Sequence, residues 1–243
     1  MKGIILAAGK GSRLSELNLT HKSFAVVHKK HVIDYSLDLL SDGGIHPLVN
    51  EIIVVVGYHA DSVMNYIGDN YNGVPVKYVL QKELKGVAHA VLTAREQIND
   101  DFIMCLADEI LLNPRLKEMI RYFYSSNSAA VCGCVIDEND FSMKPIAYEV
   151  ADGNTITTVR EKPQEYNNAF RGIGECVFKR ECLELLDILK PNPRRGELEM
   201  GDWIQLVVDS GNRARVFDLA DAYINVNYAK DIIEADDLLS KID

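Results

Sequence analysis

The stretch MKGIILAAGKGSRL, Met1 to Leu14, constrains this chain more than any other. Ile4, Ile5 and Leu6 form a short apolar run, which predicts a buried parallel strand rather than a helix of that length. Ala7, Ala8, Gly9 and Gly11 follow with little or no side chain, so the backbone can turn tightly and bring several N–H groups to one ligand. Arg13 adds an always-charged fork at the rim, and Lys22 lies a short loop further on. Backbone donors flanked by two cations predict a cradle for a polyphosphate. The dinucleotide pattern G-x-G-x-x-G fails, because Leu14 stands at its third glycine. The Walker pattern fails as well, since GKGSR has its lysine between the glycines and an arginine after the serine.

Strands alternating with helices continue through the first half. Val32 to Leu40 has helical spacing and is stopped by Asp42-Gly43-Gly44. Ile52 to Val56 is a continuous β-branched run closed by Gly57, the mark of a strand buried on both faces. A helix over His59 to Ile67, a strand over Val76 to Leu80, a helix over Ala88 to Gln97 and a strand from Phe102 in FIMCLADE complete the pattern. This alternation implies an α/β fold, a Rossmann-like, mostly parallel mixed sheet flanked by helices, with ligands beyond the carboxyl ends of its strands. The opening cradle and Asp108 both belong there.

The second half reads differently. AAVCGCVI, IAYEV and TITTVREKP predict strands, with turns at Asp137-Glu138-Asn139 and Asp152-Gly153-Asn154. Helices are expected over Glu181 to Leu189, Asp202 to Ser210 and Ala229 to Leu239, and strands over ARVFDL and YINVN. No repeat or linker interrupts the chain. One domain over 1–243 is expected, with residues 1–112 as the nucleotide-binding part and 113–243 as a smaller acceptor-binding lobe with a closing segment.

Composition excludes several classes. With 26 basic against 36 acidic residues the net charge is −10, which argues against a nucleic-acid groove. Cysteines 105, 132, 134, 176 and 182 lack paired C-x-x-C spacing, so they read as reduced core residues rather than a zinc or disulfide framework. No window approaches 18 uninterrupted apolar residues and no leader pattern opens the sequence, so a soluble cytoplasmic protein without a membrane partner is expected.

LAAGKGSRL followed by Lys22 resembles the signature of the sugar-1-phosphate nucleotidyltransferases, the nucleotide-sugar pyrophosphorylases. Gln81-Lys82-Glu83-Leu84-Lys85-Gly86-Val87-Ala88-His89-Ala90 resembles the family's Q-x-x-x-x-G-x-A-x-A segment, and Leu106-Ala107-Asp108 stands where it has a G-D pair. Arg160-Glu161-Lys162-Pro163 looks like its E-K-P segment, GIGECVF matches its G-x-Y-x-F in part, and LEMGD resembles its L-E-[IV]-T-D. YINVNYAKDI resembles the closing segment with the second metal ligand. These motifs follow the family's order from residue 3 to about residue 235.

The resemblance implies a magnesium-dependent transfer of a nucleotidyl group from a pyrimidine nucleoside triphosphate, dTTP or UTP, to a sugar 1-phosphate, releasing pyrophosphate and leaving a nucleotide sugar. Leu6, Ala7, Ala8, Gly9, Gly11, Ser12 and Arg13 would bind the nucleotide with Gln81, Gly86 and Asp108, the glutamine and Gly86 reading the base. Arg13, Lys22 and Lys162 would be the catalytic cations, because the chemistry brings two anions together and needs their repulsion offset. Glu161, Lys162 and Gly174 would hold the acceptor, and Mg2+ would sit on Asp108 and on Asn225 or Asn227. A homo-oligomer is common among such enzymes. Ile146 stands near the place where thymidylyl and uridylyl relatives have a glycine against the sugar, and a branched side chain there takes space a hexose would use. A CTP-dependent cytidylyltransferase acting on a phosphorylated alcohol such as phosphocholine therefore stays open. So does a catalytically silent nucleotide-binding regulator, since asparagines stand at the second metal position.

Overall fold

In the structure, a computed structural model, the described residues are 1–11, 22–42, 46–136, 146–161 and 170–240. Strand β1 (Lys2–Ala7) is followed by the two-residue strands β2 (Val26–Val27) and β3 (Lys30–His31) and by helix α1 (Val32–Ser41). Then come β4 (Ile52–Val56), α2 (Ala60–Ile67), β5 (Asn70–Tyr71), β6 (Val74–Leu80), α3 (Val87–Ala94), β7 (Phe102–Leu106), β8 (Glu109–Leu112) and α4 (Leu116–Ser125). The second half supplies β9 (Ala130–Val135), β10 (Ile146–Ala151), β11 (Thr155–Glu161), β12 (Phe170–Phe178), α5 (Met200–Asp209), β13 (Ala214–Asp218), β14 (Ala222–Asn225) and α6 (Ala229–Leu239). Ser12, Arg13 and Lys162, the expected turn at Asp137-Glu138-Asn139 and the Gly43-Gly44 stop lie outside the described residues.

Ten strands share one sheet in the order β10-β11-β13-β9-β12-β7-β1-β4-β6-β5. The strip β7-β1-β4-β6 is parallel throughout. Beyond β7 the sheet is mixed, with β12 antiparallel to both β7 and β9 and β13 parallel to β9. The fold is the expected Rossmann-like mixed α/β sheet flanked by helices. Strands β4 and β7 are apolar at every position because both faces are covered: β4 is buried from end to end, and Ile4 and Ile5 of the neighbouring β1 are 0% exposed. Ile4, Val55 and Phe102 pack toward Val91 of α3 and Trp203 of α5. Ile5, Val54 and Ile103 pack the other way, toward Leu37 of α1, Val63 of α2 and Phe123 of α4.

The chain runs outward from β1 to β4 and β6, then returns to place β7 on the opposite side of β1. The connections leaving β1 and β7 therefore diverge, which opens a crevice at their carboxyl ends. Several elements depart from expectation. FIMCLADE is not one strand: after β7 the chain turns at Ala107-Asp108, and β8 leaves the main sheet to pair antiparallel with β14, Glu109 opposite Asn225. Helix α4 was not expected, although its buried Leu116, Met119 and Phe123 follow helical spacing. Over Ala88–Gln97 the α-helix ends at Ala94 and a 3-10 turn, Arg95–Gln97, completes the segment. The helix expected over Glu181–Leu189 is a 3-10 helix, Arg180–Asp187. There the Cys182 carbonyl accepts a hydrogen bond from Trp203 Nε1 at 3.1 Å, which supports the tighter winding.

Trp203 ties α5 to the sheet. Its ring is fully buried, with centroids 4.3 Å from Phe178 and 6.4 Å from Phe102 in stacked orientations. Trp203→Ala removes this contact and leaves the Cys182 carbonyl without its donor. We expect a loss of about 3–5 kcal/mol in the free energy of unfolding, read from urea titration followed by circular dichroism.

Candidate active site

The crevice between β1 and β7 begins with small residues because neighbouring backbone comes close. A Cβ on Gly57 would lie 2.7 Å from the Ala8 carbonyl oxygen, and the Tyr58 N–H donates to that oxygen at 3.3 Å. Ala7 and Ala8 are buried, and Ala107 N–H donates to the Leu6 carbonyl at 3.2 Å. Gly11 has φ +61°, where L residues are strained, and a Cβ there would lie 2.7 Å from the Cβ of Lys22. A Cβ on Gly9 would sit 3.6 Å from Lys22 Cε. The lysine stem thus runs along the glycine loop, and its Nζ forms an ion pair with Asp108 Oδ2. Both side chains are largely screened from water, 19% and 12% exposed. The glycine loop, Lys22 and Asp108, separated in sequence, converge at the place the strand order marks out.

The closing segment reaches the same place through β14. Its register sets Asn225 opposite Glu109, and Val226 N–H donates to the Asp108 carbonyl at 2.8 Å. Asn225 Nδ2 donates to Glu109 Oε1 at 3.2 Å, while Asn225 Oδ1 accepts from Asn227 Nδ2. Asn227 N–H is itself bound to Asp231 Oδ2 at 2.8 Å. The Asn225 side chain is therefore held between Glu109 and Asn227, one register position from Asp108. Among the described residues no group of three His, Cys, Asp and Glu side chains could hold a metal ion. One carboxylate and one amide oxygen are hard donors that suit a divalent cation completed by phosphate and water.

Behind Asp108 lies a pair of buried acids that sequence reasoning missed. Glu109 Oε2 accepts the Gly174 N–H at 2.8 Å, and the carboxyl is hydrogen-bonded to Glu175. Burial and the Asp108 charge push Glu109 up to about 7, and burial together with Glu109 pushes Glu175 well above the carboxylate range. Both shifts favour the neutral carboxyl over the carboxylate at this pair. Gly174, expected to hold the acceptor, spends its N–H on this pair, and a Cβ there would lie 2.4 Å from Leu106 Cγ, so its lack of a side chain serves packing against Leu106 and Glu109. The available signal was Glu175 itself, an acid in the otherwise apolar run GIGECVF. A cavity of about 470 Å³ between α1 and α4 is lined by Glu109 and Glu175 but not by Lys22, Asp108 or Gln81.

The third part of the site is built on backbone contact between two loops. Gly86 has φ +105°, and a Cβ there would be 2.4 Å from the Leu198 carbonyl oxygen. That carbonyl accepts the Ala88 N–H at 3.0 Å, and Leu198 N–H donates to the Lys85 carbonyl at 2.7 Å. Gln81, 4% exposed, follows β6 and is bound through its side chain to His89 of α3. After Leu198, Glu199 caps α5 and pairs with Arg195 at 2.8 Å. Glu161, at the end of β11, accepts the Gly201 N–H of the first turn of α5 at 3.2 Å. Ile146 is paired with Glu161 across β10 and β11, and its side chain is buried in the cluster that includes Met200.

Burial, then the neighbouring Glu199, push the Glu161 carboxyl from 4.5 up to about 8. A folded-state value above the unfolded one stabilises the fold at low pH, and this contribution is lost as pH rises from about 4.5 through about 8. Glu161→Gln keeps an acceptor for Gly201 and removes the titration. Thermal melts at about pH 5 and about pH 8.5 are expected to show the variant gaining on the wild type at the higher pH.

The family described as NTP_transferase, Nucleotidyl transferase, matches residues 2–241. The UTP–glucose-1-phosphate uridylyltransferase AglF of Haloferax volcanii is 31% identical over 245 residues, covering 99% of this chain and 97% of its own. A glucose-1-phosphate thymidylyltransferase of Streptomyces griseus is 28% identical, covering 98% of this chain and 66% of its own. The fold is also that of a UDP-glucose pyrophosphorylase solved with UDP-glucose, at a TM-score of 0.83, 21% identity and coverage of 100% of this chain and 99% of that one. On the length of these matches, the chain belongs to the nucleotidyl transferase family.

Proposed function

We propose that this protein transfers a nucleotidyl group from UTP or dTTP to a sugar 1-phosphate, with Mg2+, releasing pyrophosphate and leaving a nucleotide sugar. The observation that carries this reading is the convergence of Gly9, Gly11, Lys22 and Asp108 at the crevice between β1 and β7. A polyphosphate would give Lys22 an anionic partner and a divalent cation would give Asp108 a positive one, and the ion pair between them supports this reading. The names of the relatives from Haloferax volcanii and Streptomyces griseus support uracil or thymine nucleotides and glucose 1-phosphate as first choices.

In this reading an oxygen of the acceptor phosphate attacks the α-phosphorus. The bond from that phosphorus to the β-phosphate oxygen breaks, and pyrophosphate leaves with the electron pair. The acceptor is already anionic, so no protein nucleophile or general base is needed. The N–H groups of the 8–12 loop and Arg13 hold the departing phosphates, Lys22 lies by the α-phosphate, and Lys162 orients the acceptor. Ser12, Arg13 and Lys162 lie outside the described residues, and their roles are part of the proposal. Asp108 and Asn225 would hold magnesium, which supplies charge neutralisation on the phosphates when bound. Glu161, protonated at neutral pH, and Glu199 face the acceptor side as hydrogen-bonding groups.

Pyrophosphate release tests this, with each of UTP, dTTP, CTP, GTP and ATP set against sugar 1-phosphates and phosphocholine. Turnover is expected with UTP or dTTP and a sugar 1-phosphate. Turnover confined to CTP and phosphocholine would replace the substrate assignment, and nucleotide binding without release would mark a silent regulator. Lys22→Ala is expected to lower turnover by about 10²–10³. Asp108→Asn is expected to lower it similarly and to raise the magnesium concentration needed for half-maximal rate.

A further inference from the structure

Gln81 is held at both ends of its structure. Its backbone N–H donates to the Val56 carbonyl at 2.8 Å, and its side-chain Nε2 lies 2.8 Å from Nδ1 of His89. A carboxamide has two unlike ends, an oxygen that accepts and an amino group that donates. With the amino end on a ring nitrogen that accepts, the oxygen is the end left to meet a ligand. Uracil and thymine offer an imide N3–H to such an oxygen. Cytosine offers a bare N3 lone pair at the same position, which a carbonyl oxygen repels, so the arrangement contains a repulsive element as well as an attractive one.

We propose that His89 is a positioning residue that fixes the Gln81 carboxamide with its oxygen toward the base, so that the site selects uracil or thymine over cytosine. The proposal rests on the reading of Gln81 as a base-facing residue given above. The ring is well placed for this work. It sits in the first turns of α3, whose start is pinned by the Ala88 N–H on Leu198 and by the close approach of Gly86 to the same backbone. Partial burial and the nearby Lys85 hold the imidazole below its usual range, with Glu83 opposing more weakly, so the ring is neutral near pH 7 and keeps a lone pair for the amide.

The test is equilibrium binding of UTP, dTTP and CTP, each with Mg2+, to the full chain by calorimetry. The wild type is expected to bind UTP and dTTP at least about tenfold more tightly than CTP. His89→Leu frees the amide to rotate and is expected to bring that ratio within about threefold. His89→Asn, whose Oδ1 can accept in place of Nδ1, is expected to restore most of it, which a purely structural role for the ring would not produce. His89→Ala serves the same purpose should the leucine variant not fold. Gln81→Leu separates the two readings. Loss of the ratio in Gln81→Leu but not in His89→Leu would overturn the role of His89 alone. An unchanged ratio in Gln81→Leu, or equal or absent binding of UTP and CTP by the wild type, would overturn base reading by Gln81 and this proposal with it.

Discussion

Strand β1 lies between β4 and β7 in parallel register, Leu6 opposite both Val55 and Leu106. Everything at the site depends on that pairing. It sets the ends of three strands level, so the turns that follow them, Ala8–Gly11, Gly57–Tyr58 and Ala107–Asp108, open on the same side. In such a sheet, connections that leave neighbouring strands in opposite directions open a gap at the strand ends. The small residues at 8, 11 and 57 are the consequence of bringing that much chain together, whatever ligand the gap takes.

The Lys22–Asp108 pair is a poor device for stability. Two charges that are mostly withdrawn from water give up hydration that their mutual attraction only partly returns. In the proposed function its value lies in exchange: each partner would be handed to a ligand of the opposite sign without leaving an unpaired buried charge. The Glu109–Glu175 pair behind it works differently. The pair is held by a hydrogen bond between the two carboxyls, with Glu109 also accepting the Gly174 N–H and the Asn225 amide, while Glu175 Oε2 is buried without a hydrogen-bond partner. It acts as a polar floor that orients Asn225.

Much of the fold was legible because it is written locally. Ile52–Val56 and the strand before Gly9 are apolar without alternation, and α1 and α6 carry their period over whole turns. What escaped was set by distant contacts. Lys22 and Asp108 are 86 residues apart, and nothing in either neighbourhood specifies their pairing. Strand β8 escaped because it begins only at the last residue of FIMCLADE and its partner, β14, lies over a hundred residues later. The contact of His89 with Gln81 depends on where α3 begins, and Leu198 holds that start. The loop glycines, Gln81, Gly86 and Asp108 could be picked out by resemblance, but the reason position 86 must be glycine is a carbonyl from the other half of the chain.

That contact between Gly86 and Leu198 reaches beyond the glycine. Both polar groups of the Leu198 backbone are spent on the segment that follows Gln81, and the next residue caps the helix whose first turn binds Glu161. The segment after Gln81 and the segment that leads to the Glu161-bound turn of α5 are thereby joined main chain to main chain. Their separation is fixed like the opening of a caliper, by a joint that side-chain substitution nearby leaves untouched and that any side chain at position 86 would force apart.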